Sequence, residues 1–237
     1  MNRVGKAARG KKAKKQRNEV VSKKANILVP LMDDSPQQLA QLTEGILSKV
    51  ANSLDTLVFL GDAAAASAFQ GGPNSEVRSL DAVSSMESIP IDTQLVVFVG
   101  AKQEQIEKIR TVTNKSASLT NVIINAEWDP EGLKGSDKQF VNSFEIVYWH
   151  LPLAIQGLMQ NTEGAVFRYV TEGTANDSPW CIYWNGEVIS SQKERPGPAQ
   201  LEQILYNKAA EDSKLVQAAR GFGNVKDKLF GGFGKKQ

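Results

Sequence analysis

The chain has 237 residues, 41% hydrophobic and 23% charged, with four tryptophans, one histidine and one cysteine. That length suits one substantial buried core or two small ones, and a lone Cys181 excludes an internal disulfide and a cysteine-built metal site. No run of about eighteen apolar residues occurs; the most hydrophobic stretch, FEIVYWHLPLAI at 144–155, is broken by Glu145, His150 and Pro152, which excludes a spanning helix there.

The net charge of +2 conceals a segregation along the chain. Residues 1–24 hold ten Lys or Arg against Glu19 alone, residues 220–237 hold five against Asp227, and 25–219 keeps 13 bases and 24 acids. Phosphate binding needs bases gathered on the folded surface, so an acidic body with basic arms argues against a body that grips nucleic acid. The first arm reads as a solvated tail or the remnant of a targeting segment, with attraction to anionic lipid as the next alternative and RNA binding as the last. Plastid transit peptides are serine-rich, and only Ser22 occurs before residue 25, so the start reads as mature or truncated.

In chain order, DDSPQQLAQLTEGILSKV predicts a helix. Ser35 caps it, Pro36 suits its first turn, Gln38 completes a Ser-x-x-Gln capping box, and Leu39, Leu42, Ile46 and Val50 share its inner face. Asp33 and Asp34 are explained by favourable charge at a helix N-terminus. DTLVFLGDAAAASAF then reads as strand, turn and helix, VRSL as a short strand, TQLVVFVGAKQEQIEKIRTV as strand and helix, and TNVIINAEW as a strand. Continuous rather than alternating hydrophobicity in LVFL, LVVFV and NVII is what strands covered on both faces require.

The second half changes character. FEIVYW, GAVFRYV, WCIYW and EVISS follow one another across short polar turns, and WNGE is an Asn-Gly hairpin signal. RPGPAQLEQILYNKA gives a last helix with Pro198 at its start. The fold class is therefore α/β: a parallel, Rossmann-like three-layer sheet in the first half, extended by an antiparallel meander and flanked by helices. The chain divides into a basic disordered tail over 1–24, a single α/β domain over 25–210, and a basic amphipathic or flexible segment over 211–237. In WCIYW the alternation puts Trp180, Ile182 and Trp184 on one face and Cys181 and Tyr183 on the other, read as a core strand covered on both sides, with Cys181 a small hydrophobe.

Open α/β sheets place ligands beyond the carboxyl ends of parallel strands. The side chains there that can do chemistry are Asp62, Lys102, Asn125 and Glu127, which suit acid-base work or a cation. Helix capping by Asp62 and solvation of Lys102 account for them without catalysis. The chain has no P-loop, no dinucleotide fingerprint and no Gly-x-Ser-x-Gly, so no catalytic residue, metal site or cofactor is assigned. His150 reads as a satisfied strand-end histidine. In the last 25 residues Leu215, Ala219, Phe222, Val225, Leu229 and Phe233 recur at spacings of three and four. With Lys226 and Lys228 beside them, Phe222, Leu229 and Phe233 form a candidate membrane contact; a helix docked on its own domain, or a frayed tail, is the alternative.

The order NAEWDP, FEIVYWHLPL, GAVFRY, SPW and then RP opening a last helix resembles a domain-of-unknown-function family of cyanobacteria, algae and plants. That family includes plastid factors of the low-photosystem-II-accumulation type and is found fused to a plastid adenylate kinase. Its pattern falls on Asn125, Trp128, Phe144, Tyr148, Pro152, Gly164, Arg168, Pro179, Trp180, Arg195 and Pro196. The chain departs from it at Leu151, where relatives carry a base, and in the inserted VTEGTANDS. The resemblance implies a chloroplast protein, peripheral on the stromal face of the thylakoid, a non-enzymatic assembly or scaffold factor whose partners are photosystem subunits or other assembly factors. An enzyme or binding protein for a small phosphorylated or nucleotide-like ligand at the strand ends is the competing reading, and a plastid RNA-associated protein the third.

Overall fold

The structure, a computed structural model, describes residues 23–31, 33, 35–128, 132–156, 161–170 and 178–212. The expectations placed on residues 1–22, on Asp34 and on the membrane-contact residues Phe222, Lys226, Lys228, Leu229 and Phe233 lie outside it.

Nine strands form one sheet. In chain order the elements are β1 (Lys24–Leu28), α1 (Pro36–Val50), β2 (Thr56–Leu60), α2 (Ala63–Ala68), β3 (Ser75–Ser79), β4 (Leu95–Val99), α3 (Ile106–Lys115), β5 (Thr120–Ile124), α4 (Gly135–Asn142), β6 (Glu145–Gln156), β7 (Asn161–Tyr169), β8 (Trp180–Trp184), β9 (Glu187–Gln192) and α5 (Pro198–Asp212). The strand order is β3-β2-β4-β5-β1-β6-β7-β8-β9. Neighbours from β3 to β6 run parallel, and β6 to β9 form an antiparallel meander. The expected mixed α/β sheet is present, with one strand the sequence reading did not anticipate. β1, KANIL, is too short and too polar to announce itself, yet it lies between β5 and β6 and joins the two halves.

Every residue of β2 and β4 is buried, because helices cover both faces. On one face Leu39, Leu47, Ala65 and Phe69 of the α1–α2 side meet Val58, Leu60, Val97 and Val99. On the other, Ile106, Ile109 and Val112 of α3 and Phe140 and Val141 of α4 meet Leu57, Phe59, Val96 and Phe98. α1 turns Leu39, Ala40, Thr43 and Leu47 inward, while Leu42 and Ile46 are only partly buried, so its inner face is rotated from the expected one. Its capping also differs. Ser35 Oγ accepts the Gln38 N–H at 3.3 Å, but the Ser35 N–H donates to Asp33 Oδ1 at 2.8 Å, so Asp33 closes the box in place of Gln38. Hydrogen bonds from the Ser35 side chain and backbone hold the Asp33 carboxyl below its ordinary pKa.

Among the described residues one helix packs over the meander. Leu201 and Leu205 of α5 bury Trp149, Val166, Trp180, Ile182 and Trp184. Asn185 and Gly186, both at positive φ (48° and 82°), form the tight β8–β9 turn that the Asn-Gly pair predicts.

Candidate functional site

The connections leaving β2 and β4 run in opposite directions, β2 to β3 and β4 to β5, so a ligand crevice belongs between their carboxyl ends. The protein fills that crevice itself. A Cβ added to Gly61 would sit 2.0 Å from the Gly100 carbonyl oxygen, and one added to Gly100 (φ +59°) would sit 2.3 Å from Leu39 Cδ2 of α1. Gln105, only 3% exposed, closes the remainder. Its Nε2 donates to Gly61 O at 2.6 Å and to Asp81 Oδ1 at 2.7 Å, and its Oε1 accepts the Lys102 N–H at 3.0 Å. Sequence reasoning missed Gln105 because a glutamine two residues into a helical pattern carries no motif.

The four residues expected at this edge are there, engaged in building it. Asp62 Oδ1 accepts the Ala65 N–H at 2.7 Å and caps α2. Asn125, at φ +48°, exchanges two hydrogen bonds with the backbone of Val29. Lys102 is half-buried and contributes its backbone N–H to Gln105, and Glu127 is exposed with its N–H bonded to Ala101 O at 2.8 Å. Among the described residues no three of His, Cys, Asp or Glu gather where they could hold a metal ion. A cavity of about 180 Å³ lies elsewhere, against α1 and the α2–β3 loop, lined by Glu44, Ser48 and Asn74 among others; it is small beside ligand sites of about 300–1,000 Å³.

Three of the family-pattern residues meet under α5. Cross-strand pairing sets Trp149 beside Arg168 and Trp180 beside Gln192. The Arg168 guanidinium lies 5.2 Å from the Trp180 ring, and that of Arg195 lies 4.5 Å from Trp149 and 6.0 Å from Trp180. Burial pushes the Arg168 pKa down, against the opposing charge of Glu145. This is an aromatic–guanidinium seam that fixes the start of α5, where Pro196 is also buried. Trp128 and Phe144 join the α3–α4 core, Gly164 faces Trp184 across the strands, and Pro179 is exposed.

Tyr148 and Pro152 belong to a different surface. Alternation along β6, β7 and β8 places Tyr148, His150, Phe167, Tyr169, Cys181 and Tyr183 on the face opposite α5. None of them belongs to a buried cluster, and the described helices α1 and α2 pack over the parallel strands instead. The expectation that WCIYW is covered on both sides is therefore corrected: Trp180, Ile182 and Trp184 are buried and Cys181 and Tyr183 only half so. His150 lies within β6 rather than at a strand end.

The rings of this face pack edge to face: Tyr148 with Phe167 at 5.6 Å and with Tyr169 at 6.0 Å, His150 with Phe167 at 5.8 Å, and Phe167 with Tyr183 at 6.0 Å. Tyr169 is 56% exposed and Val188, paired with Tyr183, is 51% exposed. By register Glu163 stands at one end of it, and no strand position of this face carries Lys or Arg.

No described helix is long and apolar enough to cross a membrane. No curated protein matches the sequence. Among solved structures the chain is similar to the SAM-bound amino pentose methyltransferase CalS10 of Micromonospora echinaspora, involved in calicheamicin biosynthesis, at 9% identity and a TM-score of 0.28, over 73% of this chain and 82% of that one. It is similar to Streptomyces venezuelae DesVI at 10% identity and a TM-score of 0.25, again over 73% and 82%. Likeness this faint assigns no chemistry. Residues 7–203 match the family described as Domain of unknown function (DUF1995), and the chain belongs to that family.

Proposed function

We propose that this DUF1995 protein is a non-enzymatic assembly or scaffold factor for a photosystem complex, acting in the chloroplast at the stromal face of the thylakoid through protein contacts. The aromatic face of β6–β9, over which none of the described helices packs, carries the reading. Tyrosines with an apolar ring and a polar tip are the side chains that protein interfaces enrich, and a contiguous apolar surface on a folded domain marks an interaction site. The family pattern read in the sequence supplies the photosynthetic context.

The enzyme reading loses its residues to structural tasks: Asp62 to a helix cap, Asn125 to Val29 and the crevice to Gln105. Stacked bases on a sheet need cations for their phosphates, and the strand positions of this face carry Glu163 and no Lys or Arg, which disfavours RNA.

The test is co-purification from solubilised thylakoids. The parent protein should bring down photosystem subunits or other assembly factors, and a Tyr169→Ala, Tyr183→Ala variant present at the same level should not. Partners retained by the variant would remove the face from the mechanism; a parent that enriches no photosynthetic protein would remove the function.

A further inference from the structure

The sheet ends in two edge strands, β3 and β9, and the chain treats them differently. On β3 the charged residues Glu76 and Arg78 guard the edge. Arg78 bridges Glu76 at 2.6 Å and Glu87 beyond it, and donates to Ser88 O at 2.7 Å, which ties the following loop to the strand. Charges and covering loops are the usual defences of an edge. β9 reads EVISSQ, with no Lys, Arg or Pro in it.

Register assigns the outward groups of β9. The Asn185 N–H bonds Glu163 O at 2.9 Å, so odd-numbered residues of β8 face β7 and even-numbered ones face β9. Trp180–Gln192 and Ile182–Ser190 are then hydrogen-bonded pairs. Ser191 between them, and Val188 opposite Tyr183, turn N–H and C=O away from the sheet. Among the described residues none bonds these groups. Both residues are exposed, and both side chains share the face of Cys181 and Tyr183. The register shift that leaves Ile189 unmatched twists this edge without covering it.

We propose that the free edge of β9 takes an extended segment of a partner protein as a tenth strand, an inference that rests on reading the adjoining aromatic face as a docking surface. Backbone bonds to Val188 and Ser191 give such a segment its affinity, and alternate side chains give it specificity. Those on one side continue the row of Tyr183 and Val188 and suit apolar residues. Those on the other lie beside the Gln192–Gln200 amide pair, 2.7 Å apart, and suit polar ones. The segment therefore alternates apolar and polar. A second copy of the chain is the poorer occupant. Two edges about 20 Å long and about 10 Å thick bury roughly 400 Å² together, against about 1,200 Å² or more in a stable dimer.

The probe is an eight-residue peptide of alternating valine and threonine between terminal lysines. It should bind the full chain and slow hydrogen exchange at the Val188 and Ser191 amides. N-methylation of its valines, whose N–H groups face β9, should abolish binding, while N-methylation of its threonines should not. Ser191→Pro, tolerated where the N–H faces outward, should weaken binding about tenfold, the worth of roughly one hydrogen bond. No binding, or equal binding of the two methylated peptides, overturns the proposal, and since that comparison uses the parent chain no failure to fold obscures it. Slow exchange of the two amides without peptide, lost on dilution, overturns it as well by making a second copy the source of the tenth strand. The assay holds no photosystem component, so a peptide that fails leaves the co-purification result standing, and a failed co-purification leaves the edge standing.

Discussion

Asn125 grips both polar groups of the Val29 peptide: its Oδ1 accepts the Val29 N–H at 2.8 Å and its Nδ2 donates to Val29 O at 2.8 Å. The bond pair ties the chain leaving β1 to the end of β5, and φ +48° is a conformation asparagine tolerates better than most residues. Asn125→Ala should lower stability by about 2–4 kcal/mol, from two lost hydrogen bonds and backbone strain together. Asn125→Gly, which removes the bonds without the strain, should cost roughly 1–2 kcal/mol less than that. Urea unfolding separates them; equal losses would show that the strain is absent.

Asp62 serves α2 as its cap, a task asparagine performs as well as aspartate. The double variant Asp62→Asn, Glu127→Gln is therefore expected to leave both melting and photosystem accumulation unchanged in a complemented null strain. Accumulation lost at normal protein level would restore chemistry to the strand ends.

Trp180 is 2% exposed beneath α5, with two guanidinium groups stacked on it. Trp180→Ala should cost about 3–5 kcal/mol. A variant that melts like the parent would mean that α5 does not pack there.

Tyr169 presents the opposite case. At 56% exposed, its replacement by alanine should change stability by less than about 1 kcal/mol while weakening partner capture. Loss of capture accompanied by an equal loss of folded protein would trace the defect to stability.

Lys226→Ala should lower flotation of the full chain with anionic vesicles about fivefold, since a base near such a surface contributes about 1 kcal/mol. Flotation that survives deletion of 211–237 and disappears with 1–24 would assign the contact to the other arm.

How much of this was legible in the sequence depends on how far each signal travels. LVFL and LVVFV announced buried parallel strands because helices on both faces demand unbroken hydrophobicity, and Asn185-Gly186 announced its turn because few residues accept two positive φ values. β1 did not, since pairing with strands distant in sequence supplies what KANIL lacks. WCIYW gave the correct alternation and the wrong cover, because a half-exposed tyrosine and a buried one look alike in one dimension. The strand-end residues were located correctly, but Asn125 bonding Val29 and Gln105 bridging Gly61 to Asp81 join residues too far apart for any local pattern.

β1 is the first strand of the sheet to be synthesised and one of the last able to find its place. Val29 and Asn125 are 96 residues apart, and Lys24 and Ser143 are 119 apart. A chain delivered N-terminus first, from a ribosome or through a translocation pore, presents β1 long before β5 and β6 exist to flank it. Until that keystone is inserted, both halves show bare edges to any neighbouring chain, and closing over such separations is slow. Refolding yield should accordingly fall as protein concentration rises, with chaperone capacity setting how much of the chain reaches its folded state.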